Sequence, residues 1–145
     1  MTDIISSTDF RMQHFTIREL LDRINTGQLY CKRVMEKEWH EEKQVRFIES
    51  VLSGIPIASL YFNGSQSKWN VLDGVERLYA IECFVNRRLL LHDLELLSSK
   101  YETTFIELPP YIRRRFLDTH VIGFVLTTEL PRDVLNSLFK RLNNL

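Results

Sequence analysis

The chain has 145 residues, of which 44% are hydrophobic and 26% charged, and its formal net charge is zero. That length suits one domain with a real hydrophobic core, and the balanced charge excludes a surface that is basic all over, as expected of a dedicated nucleic-acid binder. Cys31 and Cys83 have no metal spacing and exclude a disulfide framework. They read as reduced, buried thiols. The polar N-terminus lacks a signal-peptide pattern, and the longest apolar run, Val121 to Leu126, is too short to span a bilayer. A cytoplasmic protein without a membrane partner is expected.

Residues 1–14 show no periodicity and read as an N-terminal arm, leaving residues 15–145 as the domain. Thr16 to Ile24 is predicted as a helix. Thr16 and Glu19 have capping-box spacing, Phe15 and Leu20 can staple across it, and Gly27 suits the stop. A polar stretch from Leu29 to His40 carries Lys32, Arg33 and Trp39, with Trp39 expected to anchor it to the core. A second helix is predicted from Glu41 to Leu52, with Val45, Ile48 and Leu52 inward. Ile57 to Phe62 and Trp69 to Leu72 read as strands of a hairpin, joined by the turn residues Asn63 to Ser67.

Glu76 to Val85 forms the next helix, with Leu78, Ile81 and Val85 on one face. Between 87 and 108 the pattern is weak, and Leu89 to Leu91 and Thr103 to Ile106 read as short strands. Pro109 and Pro110 open a helix through Phe116. Val121 to Leu126 reads as a buried strand, and Pro131 to Leu142 as the last helix. The mixture predicts an α+β domain with a small sheet.

The sharpest local signal is Val71-Leu72-Asp73-Gly74-Val75-Glu76-Arg77-Leu78-Tyr79. A strand ends at Asp73-Gly74 and a helix starts at once. The spacing admits two readings. Asp73 and Glu76 can form a capping box and do nothing more. Alternatively, Gly74 lets an anion approach the helix N-terminus, where unpaired N–H groups and the dipole favour it, and Arg77 forks onto its oxygens. Arg113, Arg114 and Arg115 form a basic run that a solvated face explains, with contact to DNA as the alternative, together with Arg87 and Arg88. His14, His40, His92 and His120 are scattered without ligand spacing, and neither a Walker loop nor GxGxxG occurs.

Four segments in order carry a family likeness: Arg33; Trp39 with Phe47 to Pro56; Val71 to Leu78; and Phe139-Lys140-Arg141-Leu142-Asn143. Over residues 15–145 the chain resembles the N-terminal domain of GmrSD-type modification-dependent restriction endonucleases. Those belong to the ParB/sulfiredoxin-like superfamily, in which a small mixed sheet packs against several helices. The family's Asp-Gly-Gln-Gln-Arg motif is linked to binding and hydrolysis of nucleoside triphosphates that control DNA cleavage. By this resemblance Asp73, Gly74 and Arg77 occupy three of its positions, Arg33 matches a Gln-Arg element altered by Lys32, and Asn143 matches the late-helix asparagine.

The resemblance implies that Gly74 and Arg77 hold phosphates and that Arg33 clamps them, with Asn143 nearby. It also implies that Asp73 positions Mg²⁺ or the helix start and that Glu76 orients metal or water. Asp73, Glu76 and Arg77 would then be the catalytic set, with Mg²⁺–nucleoside triphosphate as ligand and a nuclease subunit or domain, or DNA, as partner in phage defence. Val75 and Glu76 replace both glutamines. Valine cannot donate to a phosphate oxygen and an ionised glutamate only accepts. The ParB-type Gly-Glu-Arg-Arg box also carries a glutamate and still accommodates a nucleotide, so the loss bears on hydrolysis more than on binding. The alternative is a non-catalytic regulatory or protein/DNA-interaction module of the same fold. No nuclease motif occurs in the chain.

Overall fold

The computed structural model describes residues 9–31 and 39–143. Among them are five strands and five α-helices. The strands are β1 (Phe10–Thr16), β2 (Leu29–Tyr30), β3 (Leu60–Asn63), β4 (Trp69–Asp73) and β5 (His120–Leu126). The helices are α1 (Ile17–Asn25), α2 (Glu41–Leu52), α3 (Val75–Asn86), α4 (Pro110–Leu117) and α5 (Arg132–Asn143). One mixed sheet has the order β1-β5-β3-β4-β2. β1 and β5 run antiparallel, β5 and β3 parallel, β3 and β4 antiparallel, and β4 and β2 parallel. The α+β expectation therefore holds.

The strand directions bring the ends of β1, β2 and β4 to one end of the sheet, together with the starts of β3 and β5. α1 and α3 both begin there. α1 opens as its sequence dictates: the Thr16 hydroxyl accepts from the Glu19 N–H at 3.1 Å and donates to the Glu19 carboxylate at 3.3 Å. Gly27, at φ +80°, closes it.

The core joins the sheet to the helices through two aromatic clusters. Phe15, Phe62 and Trp69 lie with ring centroids 5.5–6.1 Å apart. Phe84, Phe105 and Phe116 lie 5.2–6.0 Å apart. Gly123 is required by the first cluster, because a Cβ there would sit 2.7 Å from Phe15 and 2.8 Å from Phe62. Trp39 anchors its segment by an edge contact with Phe47 at 5.5 Å, as its position implied.

Three expectations are corrected. The arm over residues 1–14 gives way at Phe10, where β1 pairs along its length with β5. β1 is an edge strand, and Arg11 to His14 are exposed on both of its faces, so no alternation betrays it. β3 starts at Leu60 rather than Ile57, because the carbonyls of Ala58 and Ser59 are taken by a side chain instead of a neighbouring strand. Residues 89–91 and 103–106 form no ladder. A single bond from the Leu91 N–H to the Thr103 carbonyl, at 3.0 Å, joins them, and 3₁₀ turns occupy Ser99–Tyr101 and Phe105–Glu107.

Candidate functional site

α3 starts at the sheet end described above, directly after β4. Its N-cap is Gly74, at φ +109°, and no side chain caps it among the described residues. The capping-box reading of Asp73 and Glu76 is therefore overturned: the chain turns one residue later than that box needs. By helix geometry, the N–H groups that precede the first intrahelical bond (Leu78 to the Gly74 carbonyl, 3.0 Å) have no partner within the helix.

Glycine is obligatory at this turn for two reasons. Its φ lies where other residues are strained, and a Cβ would collide with Leu60 Cδ2. The group that approaches the Gly74 backbone is thus, in part, the protein's own core.

Arg77 is drawn back across the same turn. Its Nη1 donates to the carbonyls of Ala58 (2.6 Å) and Ser59 (3.3 Å), and its Nη2 donates to Asp73 Oδ2 at 3.2 Å. The two side chains are 15% and 23% exposed, so this is a half-buried pair and not a solvated surface bridge. The guanidinium lies beside the glycine, with Nη2 3.5 Å from the position a Gly74 Cβ would take. A cation and an uncapped helix N-terminus therefore share one end of the sheet, offset by a single carboxylate in hydrogen-bond contact with the guanidinium.

Glu76 is half-buried in that first turn. Its neighbour Cys31 follows β2 and donates its thiol to the Val75 carbonyl at 3.8 Å. Burial, then the carboxylates of Glu82 and Glu76, push the Cys31 thiol up to about 12. Cys31 is protonated at neutral pH and chemically quiet. Lys32 and Arg33 come next in sequence and lie outside the described residues. Asn143 is the last residue of α5, which packs against β4.

The basic run divides. Arg113 donates to the carbonyls of Ile106 (2.6 Å) and Leu108 (3.0 Å) and so braces the turn ahead of α4. Arg114 and Arg115 are exposed. Arg87 pairs with Glu82 at 3.3 Å. The three arginines thus differ in how freely their side chains stand.

Glu49 is the residue that sequence reasoning missed. It is 3% exposed and accepts from the backbone N–H groups of Leu96 (2.6 Å) and Leu97 (3.0 Å). Burial alone would raise its pKa. The N–H groups of Leu97, Leu96 and Glu95, with the Arg46 charge, outweigh that and hold it below the ordinary value of 4.5. A polar cleft beside it is lined by Glu42, Arg46, His92 and Asp93. His92 is raised above its ordinary value by its hydrogen bond to Asp93; burial offsets part of this, and the nearby Asp93, Glu41 and Glu42 charges each add a smaller rise. One signal did exist: Glu49 falls four residues after Val45 and three before Leu52, on the inward stripe of α2.

No family model matches the chain, and no curated protein or solved structure matches it either. Among the described residues no helix is long and apolar enough to cross a membrane.

Proposed function

We propose that the start of α3 binds the phosphate of a nucleotide without hydrolysing it, in a domain of the ParB-like, GmrSD N-terminal kind. The observation that carries this reading is the guanidinium of Arg77 against Gly74 at an uncapped helix N-terminus. Dipole, unpaired N–H groups and fixed cation all favour an anion at that spot. Three donor contacts engage Arg77 on the protein, and a guanidinium has five N–H groups. It therefore acts first as a fixed positive charge. Arg33, two residues beyond Cys31 in sequence, is the clamp in this proposal, and Asn143 a further polar contact to the ligand.

Mg²⁺ does not fit the described residues as a protein-held ion. Asp73 is committed to Arg77, and no group of three or more His, Cys, Asp or Glu residues could hold a metal among the described residues. With valine and glutamate where the family has glutamines, Glu76 is left without a metal to orient, and the domain reads as a sensor that passes occupancy to a nuclease partner.

Calorimetric titration with ATP, GTP, CTP and UTP, each with and without Mg²⁺, tests this directly. Arg33→Ala and Val75→Glu should each weaken binding about tenfold or more. Arg77→Ala is a poor control because it also removes a structural tie. If none of the four nucleotides binds, or Val75→Glu binds as well as the parent, the site is lost. Phosphate release abolished by Glu76→Gln would replace the sensor with a hydrolase.

A further inference from the structure

A second site lies away from α3, where α2 and α4 meet the 97–101 segment. A half-open cavity of about 120 Å³ is walled by Val51 and Leu52 of α2, Leu97 and Tyr101 of the connecting segment, and Ile112 and Phe116 of α4. Val51 and Phe116 are 4% and 1% exposed, so its floor is continuous with the hydrophobic core. An apolar cavity of roughly 150 Å³ accepts a benzene-sized guest, so this one takes a branched aliphatic or a small ring.

Arg115 is the one charged residue in the lining. It has no hydrogen bond through its side chain and no ion pair among the described residues, whereas its neighbours are committed. Arg113 holds two carbonyls, and the Asp118 carboxylate is taken by Arg18 at 3.2 Å. The Arg115 guanidinium stands beside Gly54, just past the end of α2, with Nη2 3.9 Å from where a Cβ would be. Thr119, also in the lining, donates its hydroxyl to the Arg115 carbonyl at 3.0 Å and so ties the end of α4. A guanidinium in the lining of a largely apolar cavity, without a partner among the described residues, matches a carboxylate whose apolar part fills the cavity.

We infer that this cavity binds a small apolar group carrying a carboxylate, either as a free branched or aryl acid or as the C-terminal residue of a peptide. Both sources present the same chemistry: side chain in the cavity, carboxylate on Arg115. This site shares no residue with the one at α3.

The test is titration of the whole chain, followed by amide NMR shifts, with isovalerate and phenylacetate against their neutral amides. Gly-Gly-Leu with a free and an amidated C-terminus forms the second arm. The acids should bind in the millimolar range, about tenfold tighter than the amides, with shifts centred on residues 51–52, 97–101 and 112–119. Arg115→Gln should abolish the difference between acid and amide without changing the melting temperature. Ile112→Trp, which fills the cavity, should abolish both. Tighter binding of the free-acid peptide than of isovalerate assigns the site to chain termini, and the reverse assigns it to free acids. Equal affinity for acid and amide, shifts outside these residues, or an unchanged acid affinity in Arg115→Gln would overturn the inference.

Discussion

Arg77 and Glu49 perform the same task with opposite charge. Arg77 donates to two consecutive carbonyls, Ala58 and Ser59, and fastens the entry to β3 onto α3. Glu49 accepts from two consecutive amides, Leu96 and Leu97, and fastens the irregular segment after α3 onto α2. Each replaces the ladder partners that an irregular backbone lacks. The two differ in what surrounds them. Glu49 is 3% exposed and its charge is spent on the protein. Arg77 sits at an uncapped helix end with a positive dipole beside it. One site is closed. The other is the one proposed to receive an anion.

The largest expected effect comes from breaking the Arg77 side of this pair. Arg77→Ala strips three charge-assisted bonds and leaves two loop carbonyls unmatched, a loss of about 3 kcal/mol in urea unfolding. Arg77→Lys should recover less than half, because an ammonium cannot span Ala58, Ser59 and Asp73 with one planar fork. Full recovery by lysine would mean that charge alone, and not the fork, ties the segment.

Glu49→Gln comes next. The amide keeps one acceptor oxygen but loses the charge, and about 1–3 kcal/mol should go with it. Its pH signature separates the two sites. Because the folded pKa of Glu49 lies below 4.5, the stability it adds is present above that value and is lost as pH falls through the folded pKa. The parent should therefore lose stability on acidification below pH 4.5 more steeply than Glu49→Gln. Parallel acid limbs in the two proteins would show that Glu49 is not held as the anion.

The contrast also explains what could be read from the residues alone. Thr16 and Glu19 were legible because the whole capping box lies within four residues. Asp73 and Glu76 have the same spacing and misled, because the left-handed Gly74 moved the helix start past Asp73 and freed its carboxylate for Arg77. Glu49 could be placed on the inward stripe of α2, but its task was illegible because its partners lie 47 and 48 residues downstream. Residues 87–108 resisted assignment for a related reason: their order comes from single long-range bonds and turns, which leave no periodic trace. The candidate site was legible as a pattern, a glycine and an arginine at a helix start. The structural demand on that arginine, two carbonyls 18 and 19 residues upstream, was not.

Asp73→Asn should have the smallest effect and discriminates most finely. Asp73 makes one bond to Arg77, at 3.2 Å, and is 23% exposed, so water screens part of the charge. Asparagine retains an acceptor oxygen at the same reach, and the loss should stay under about 1 kcal/mol. Nucleotide affinity should move the other way. Removing the one carboxylate on the guanidinium raises the positive potential at the α3 end, so a phosphate bound there should be held more tightly, with a steeper salt dependence. A loss as large as that of Arg77→Ala would make Asp73, and not the two carbonyls, the main anchor of the turn. Weaker nucleotide binding with unchanged stability would assign Asp73 to the ligand itself.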